Sequence, residues 1–203
     1  SNVALVRTVA ELEAAHAEIV RQNDELERLA SRDPPTRCFN RRAFYEKFEK
    51  AFVESHELDT ELCCLMVDID NFKRVNDQFG HAVGDQAIQA VASCLSTGLR
   101  LTDTIGRYGG EEFCLIFPRT TLAEASNLAD RLRIQVETEA GVRVRTVSHL
   151  VTTVSCGISS TGFGARTPLE LIDQADKALY AAKEGGRNCV MAHQLGVEVR
   201  LPH

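Results

Sequence analysis

Two groups of acidic residues indicate where the chemistry of this chain could lie. Asp68 and Asp70 follow the apolar run 62–67 and are separated by one residue. In an extended chain both carboxylates would point to the same side, which suits a hard, oxygen-seeking cation such as Mg²⁺. The spacing also fits a simpler structural role, in which one aspartate caps the following helix. This pair alone leaves metal binding and helix capping both open.

The second group is a pair of glycines followed by a pair of glutamates. Gly109 and Gly110 can form a tight turn that lets a phosphate approach the backbone, and Glu111 and Glu112 follow where a strand would resume. Alone, this could be an exposed hairpin with a charged tip. Combined with Asp68 from a neighbouring strand, it predicts an acidic cluster suited to two-metal phosphoryl transfer, in which ions polarise the nucleophile and neutralise the leaving group.

Hydrophobic periodicity predicts the elements that position these acids. The run 62–67 is continuously apolar, as is typical of a strand buried on both faces. Segments 104–108 and 111–117 flank the glycine pair and predict a β-hairpin. The other predicted elements are helices at 41–54, 85–96, 122–139 and 168–183, two strands within 142–160 and an edge strand at 188–192. The alternation lacks a regular βαβ rhythm, so the predicted class is an α+β sandwich with one sheet covered by helices.

Residues 1–31 are predicted to form one long helix, because they lack Gly and Pro. Apolar residues recur at the spacing of a coiled-coil seam. The residues at the d positions of this seam are Leu5, Leu12, Ile19 and Leu26. Asn23 would occupy an a position, where a buried Asn favours pairing with its own copy in a parallel dimer. The alternative is an amphipathic helix packed on its own domain, but the four heptads and charged flanks favour the dimer.

The segment 31–40 separates this helix from the rest of the chain. Pro34 and Pro35 cannot continue a helix and place their predecessors in extended conformations. The predicted domains are therefore a stalk helix at residues 1–31 and a catalytic domain at residues 32–203.

Composition limits the class of ligand and the compartment. A net charge of −6 argues against a nucleic-acid partner but allows small anions. Seven cysteines without a C-x-x-C pair predict a reducing, cytoplasmic compartment. No apolar stretch approaches the roughly 20 residues that span a bilayer, and no signal peptide is visible. Because the chain begins with Ser-Asn, we expect it to be the cytoplasmic part of a longer protein with a sensor or membrane anchor upstream.

The motifs and their order resemble the GGDEF-domain family of diguanylate cyclases, in its Gly-Gly-Glu-Glu-Phe form. The resemblance covers about residues 32–191. It is carried by Asp33, Thr36 and Asn40-Arg41-Arg42; Asp68-Ile69-Asp70-Asn71-Phe72-Lys73 with Asn76-Asp77; Gly80-His81 with Gly84-Asp85; Arg107-Tyr108 and Gly109-Gly110-Glu111-Glu112-Phe113; and Ala175-Asp176, Ala178-Leu179-Tyr180-Ala181-Ala182-Lys183 and Gly186-Arg187-Asn188. The implied fold is a five-stranded palm-like sheet flanked by helices, as in nucleotidyl cyclases.

The resemblance implies a homodimeric enzyme that condenses two GTP molecules into cyclic di-GMP and releases two pyrophosphates. The implied cofactor is Mg²⁺, with Mn²⁺ as a substitute. The implied metal ligands are Asp68, the backbone carbonyl of Ile69 and Glu111, while Glu112 assists or meets a second ion. Asp68, Glu111 and Glu112 are also the implied catalytic residues.

The same resemblance implies where GTP binds. Asn76 and Asp85 are the implied guanine contacts, and a carboxylate can accept both N1–H and the 2-amino group of guanine, which adenine cannot offer together. Lys73, Lys183 and Arg187 are implied phosphate contacts, as fits cations aimed at a triphosphate. Phe72, Gly109 and Gly110 complete the predicted substrate-binding set.

Arg100 and Asp103 precede the glycine pair, at a place where many family members carry a product-binding inhibitory site. An arginine fork can bond guanine and phosphate edges, so feedback inhibition by cyclic di-GMP is the prediction. A surface salt bridge between residues i and i+3 is the structural alternative.

The chain departs from the family pattern at 33–38, where Asp-Pro-Pro-Thr-Arg-Cys replaces the usual Asp-x-Leu-Thr-Gly-Leu. We expect the change to affect the hinge rather than the metal or base sites. The alternative function is a catalytically silent GGDEF-like domain that senses GTP or cyclic di-GMP, and the intact set of acids favours the enzyme.

Overall fold

The computed structural model describes residues 2–29, 31–147 and 150–194. The chain divides into two compact units, Ser1–Ser31 and Arg32–His203. The first unit is a single helix, α1 (Asn2–Leu29). Among the described residues, no helix combines the length and the apolar content that crossing a bilayer requires.

The seam side chains of α1 that the structure describes are exposed. Leu12, Ile19 and Leu26 are 69%, 56% and 65% exposed. The ion pairs Arg7–Glu11 and Glu18–Arg21 use heptad positions c and f, outside the a and d columns. The described apolar side chains of the seam are therefore exposed, whereas these charged side chains pair with each other within the helix. Leu5, and Ala30 at the last a position of the predicted seam, lie outside the described side chains.

The second unit alternates helices and strands along the chain. The elements are α2 (Arg41–Glu57), β1 (Leu62–Ile69), α3 (Phe72–Phe79), α4 (His81–Thr97), β2 (Thr104–Arg107), β3 (Glu112–Pro118), α5 (Leu122–Gln135), a π-turn (Val136–Ala140), α6 (Gly141–Arg143), β4 (Val154–Ser160), a 3₁₀ turn (Thr161–Phe163), α7 (Pro168–Glu184) and β5 (Val190–Ala192).

These strands form one five-stranded sheet in the order β2-β3-β1-β4-β5. The central strand β1 is antiparallel to β3 and to β4, and β5 runs parallel to β4. Every residue of β1 is buried, as its continuous apolar run predicts. The predicted α+β class and the five-stranded sheet flanked by helices are confirmed.

Two apolar layers cover the faces of the sheet. On one face Cys63, Leu65 and Val67 of β1 join a cluster with residues of α3, α4 and α5. On the other face Leu62, Cys64 and Met66 pack with residues of α2 and α7. Alternate residues of a strand face opposite sides, so Asp68 shares the second face with Met66.

The segment before α2 covers the free edge of β2. Phe39 forms an isolated bridge with Gly106. Its N–H donates to the Ile105 carbonyl at 3.1 Å, and its carbonyl accepts from the Arg107 N–H at 2.8 Å. A side chain at Gly106 would meet Phe44 at about 2.5 Å, which explains how closely α2 packs on this strand.

The prediction of two strands within 142–160 was wrong for the residues that the structure describes. Only β4 is a strand there, and 141–143 are helical because α5 continues through the π-turn. Leu150 is buried, and its carbonyl lies so close to Gly141 that a Cβ there would approach it to 1.7 Å. Val and Thr favour strands only on a half-buried pleated surface, and Val142 and Val151 are exposed.

Candidate active site

The pairing of β1 with β3 brings two acids together at the end of the central strands. Asp68 lies directly opposite Glu112 in the antiparallel ladder. Residues directly opposite in such a ladder have Cβ atoms about 5 Å apart, and like charges there are destabilising. A cation bound between Asp68 and Glu112 would offset this repulsion.

The turn before β3 brings the third acid to the same strand end. The Ile69 N–H donates to the Glu111 carbonyl at 3.3 Å, and the N–H groups of Tyr108 and Gly109 donate to the Glu112 carbonyl at 2.8 and 3.2 Å. A Cβ at Gly109 would lie 2.3 Å from Oε2 of Glu112. The carboxylate of Glu112 therefore lies against Gly109, where any larger residue would displace it, and the predicted hairpin is confirmed.

Burial raises the pKa values of all three carboxyl groups in this cluster. Burial raises the pKa of Asp68, an effect that Lys183 partly offsets. Burial, followed by the charge of Asp68, raises the pKa of Glu111 and of Glu112. A cluster of acids whose pKa values are shifted in this way is typical of functional sites.

Lys183 supplies the one close counter-charge that the structure gives Asp68 within the described residues. Its Nζ lies 2.9 Å from Oδ2 of Asp68. The resemblance assigned Lys183 to a phosphate, whereas in the structure its ammonium group contacts the carboxylate of Asp68. Lys183 comes from α7, so this contact joins the helix to the end of β1.

The donor set suits a hard cation, although it is not arranged as a finished metal site. Among the described residues, no group of three His, Cys, Asp or Glu is placed to hold a metal ion. Carboxylate and carbonyl oxygens are the ligands that Mg²⁺ prefers, and burial followed by the charge of Asp68 makes the ionised forms of Glu111 and Glu112 less favourable, which a bound cation would offset. The residues therefore fit magnesium, provided that Lys183 releases Asp68.

Asp70 has a structural role instead of the metal or capping role considered for it. Its carboxylate accepts from Oγ of Ser155 at 2.6 Å, from Oγ1 of Thr153 at 2.8 Å and from the Asn188 N–H at 3.0 Å. The N-cap of α3 is Asn71, without a side-chain capping bond. The carboxylate of Asp70 thus ties the end of β1 to β4 and to the turn after α7.

The predicted base contacts lie on α3 and α4. A Cβ at Gly84 would lie 1.9 Å from Oδ1 of Asn76 and 3.2 Å from the ring of Phe72, so the two helices meet closely. Oδ1 of Asn76 is buried without a hydrogen-bond partner. A buried unsatisfied acceptor costs about 1–3 kcal/mol, which a ligand donor can recover. Asp85, on the first turns of α4, is exposed.

The remaining predicted site residues are Lys73, Arg187, Arg100 and Asp103. Lys73 and Arg187 are exposed, and Arg187 has a left-handed backbone with φ 66°. Asp103 accepts a hydrogen bond from the backbone N–H of Arg100 at 2.8 Å. This bond closes a turn and leaves the Arg100 side chain exposed. The structure therefore has a backbone-to-side-chain hydrogen bond between these two residues in place of the side-chain salt bridge considered as the alternative.

Arg107 is a positioning residue to which the sequence reasoning gave no role. Its guanidinium donates to the Gly110 carbonyl at 3.2 and 2.7 Å and to Asp33 at 3.3 and 3.2 Å. Asp33 also accepts from Oγ1 of Thr36 at 2.6 Å. The 33–38 segment is thus connected to the glycine turn through Asp33, which this chain shares with the family pattern, so the contact leaves the expectation about the replaced residues untested. Arg107 lies two residues before Gly109 in the sequence, and this proximity could have indicated its contact with the glycine turn.

Known proteins are similar in sequence to this chain. A family model described as "Diguanylate cyclase, GGDEF domain" matches residues 30–189. The probable diguanylate cyclase DgcT of Escherichia coli (strain K12) is 37% identical over 167 residues, which are 82% of this chain and 36% of that protein. The response regulator PleD of Caulobacter vibrioides is 36% identical over 163 residues, 80% of this chain and 36% of PleD. The chain thus spans about a third of the length of these relatives.

The fold is shared with solved structures as well. The crystal structure of the coiled coil and GGDEF domain of DgcB from Caulobacter crescentus, in complex with c-di-GMP, matches with a TM-score of 0.72 and 33% identity. The match covers 90% of this chain and 97% of the DgcB chain.

Proposed function

Because the chain belongs to the GGDEF-domain family of diguanylate cyclases, we propose that it condenses two GTP molecules into cyclic di-GMP and releases two pyrophosphates. The observation that carries the proposal is the pairing of Asp68 with Glu112 across the ladder, with Glu111 at the adjoining turn. Burial and mutual repulsion leave these carboxyl groups in need of cations. A magnesium–triphosphate complex would meet that need.

In this reaction the 3′-hydroxyl of each GTP attacks the α-phosphate of the other. Asp68, Glu111, Glu112 and the Ile69 carbonyl would hold Mg²⁺, which neutralises the triphosphate and polarises the hydroxyl when bound. Gly109 and Gly110 would let the phosphates approach the backbone. Asn76 and Asp85 would bind guanine, with Oδ1 of Asn76 gaining the donor it lacks.

The cations Lys73 on α3, Lys183 on α7 and Arg187 after α7 would bind the phosphates. Lys183 would exchange its contact with Asp68 for the triphosphate, which frees the carboxylate for the metal ion. Lys73 and Arg187 are exposed and available to the same anion. In this proposal, Mg²⁺ replaces the Lys183 ammonium group beside Asp68 when the nucleotide binds.

A turnover assay tests the proposed function. Incubating the protein with GTP and Mg²⁺ should release one pyrophosphate per GTP consumed and form cyclic di-GMP. Nucleotide binding without product would favour the alternative, a sensor of GTP or cyclic di-GMP. Absence of both binding and product would contradict both functions.

One protomer contains half of the reaction, so we propose that α1 pairs in a parallel coiled-coil dimer. The exposed stripe of Leu12, Ile19 and Leu26 and the a-position Asn23 support this proposal. Dimerisation would raise the effective concentration of the second GTP-loaded half-site.

Charge placed in the seam should separate the dimer. We expect the double variant Leu12→Asp/Ile19→Asp to sediment as a monomer and to lose at least about tenfold in specific activity at low protein concentration, with recovery as concentration rises. The matched control Ala10→Asp/Ala17→Asp adds the same charge at the same spacing outside the seam and should remain dimeric. A dimeric, fully active seam variant would contradict the role of α1.

Arg100 and Asp103 are proposed to bind cyclic di-GMP as a feedback inhibitor. The turn between them leaves the Arg100 side chain exposed, and burial raises the pKa of Asp103. An arginine fork presented in this way can bond a guanine or phosphate edge.

A further inference from the structure

The turn that carries Arg187 has an unusual backbone. Gly186, Arg187 and Asn188 have consecutive positive φ angles of 116°, 66° and 46°. For residues other than glycine this left-handed conformation costs about 1–2 kcal/mol each. Such strain persists only where contacts with the surrounding structure hold the backbone in that conformation. Two consecutive non-glycine residues therefore need a strong external anchor.

Asn188 supplies that anchor through three of its atoms. Its backbone N–H donates to Oδ2 of Asp70 at 3.0 Å, and its Nδ2 donates to Oε1 of Glu137 at 2.9 Å. Its Oδ1 accepts from Nη1 of Arg133 at 2.9 Å. These bonds join the turn to the end of β1 on one side and to α5 and its π-turn on the other.

Arg133 is itself firmly held. Its side chain is only 14% exposed and donates to Oδ1 of Asp130 and to Oε2 of Glu137, both at 2.8 Å. Glu137 lies in the π-turn that interrupts the helix after α5, and such turns occur often at functional sites. Arg133 and Glu137 thus present one donor and one acceptor to the two ends of the Asn188 amide.

We propose that Arg133 and Glu137, acting through Asn188, are positioning residues that direct Arg187 toward the triphosphate. This inference rests on the proposed function. Asp70 follows the proposed metal-binding residues Asp68 and Ile69, so the same network fixes the backbone of the turn that carries Arg187 relative to the end of β1. Neither Arg133 nor Glu137 needs to touch the substrate.

Two substitutions that exchange an amide and a carboxylate test the network, and together Asn188→Asp and Glu137→Gln form the swapped pair. Asn188→Asp keeps the oxygen facing Arg133 but replaces the Nδ2 donor with an oxygen facing Glu137, and Asp tolerates the left-handed conformation. Adding Glu137→Gln restores a donor opposite the introduced carboxylate and returns the local charge to its original sum. The exposed Asn127→Asp on α5 is the matched control, since it makes the same chemical change beside the turn without removing a hydrogen bond of Asn188.

The affinity for the α,β-methylene analogue of GTP, measured by titration calorimetry with Mg²⁺, is the readout. We expect Asn188→Asp to weaken binding about tenfold, the effect of losing one charge-assisted contact, and the swapped pair to recover most of it. In the Arg187→Ala background, Asn188→Asp should have no further effect, which general destabilisation would not produce.

The outcomes separate this inference from the proposed function. A wild-type protein that binds no analogue would contradict the function itself. Wild-type binding with an Asn188→Asp variant of equal affinity, or with additive effects of Asn188→Asp and Arg187→Ala, would overturn the positioning role alone. If the thermal melting curve shows that Asn188→Asp is unfolded, Arg133→Lys carries the same comparison, because it keeps the charge but loses the Nη1 atom that donates to both Asn188 and Glu137.

Discussion

Glu111→Gln should reduce cyclic di-GMP synthesis about a thousandfold or more, because it removes one carboxylate from the charge-stabilising cluster without changing its shape. The measurement is the initial rate of pyrophosphate release at saturating GTP and Mg²⁺. The matched control is Glu46→Gln, which makes the same change on the exposed surface of α2 and should leave the rate unchanged. A Glu111→Gln variant with wild-type turnover would remove the proposed mechanism.

The same variant should not lose stability at neutral pH in the absence of metal and nucleotide. Burial and the charge of Asp68 raise the pKa of Glu111, so its ionised form is less favourable in the folded than in the unfolded protein. Such a group stabilises the fold at low pH and loses that contribution as pH rises through its folded pKa. Thermal melting should therefore place Glu111→Gln at or above wild type at pH 7, with the difference closing below the ordinary carboxyl pKa of about 4.3.

Asp85→Asn should reduce kcat/KM for GTP by about a hundredfold, because an amide cannot accept both guanine donors as a carboxylate does. Inosine triphosphate is the informative competitor, since it keeps N1–H and lacks only the 2-amino group. The wild-type protein should prefer GTP over inosine triphosphate, and the variant should lose most of that preference. An unchanged preference ratio would show that Asp85 does not contact the 2-amino group. The matched control is Asp77→Asn, an exposed aspartate on α3.

Short-range features of this protein could be predicted from its sequence. The apolar run that ends at Asp68 indicated a buried strand, and Gly109-Gly110 indicated the hairpin, because both signals depend on residues close together in the chain. The start of α4 was predicted four residues late, at Asp85 instead of His81. Gly80, with φ 83°, ends α3 directly before it and separates the two helices.

Long-range pairing could not be predicted from local patterns. The contact of Lys183 with Asp68 and the bonds of Asn188 to Asp70 and Arg133 join residues that lie far apart in the chain. Nothing in the spacing of Asp68 and Asp70 distinguishes the acid beside Lys183 from the acid that holds three hydrogen-bond donors. That distinction arises only when β4 and α7 pack against the end of β1.

The bridge from Asp33 through Arg107 to Gly110 also determines where the folded domain begins in practice. A recombinant fragment starting at Asn40 would contain every helix and strand of the sheet-bearing unit, yet Arg107 would lose its carboxylate partner and the β2 edge would lose its cover by Phe39. The residues ahead of the first helix of this unit are therefore part of its architecture rather than a dispensable leader. Truncation boundaries for expression and crystallisation belong on the N-terminal side of Asp33.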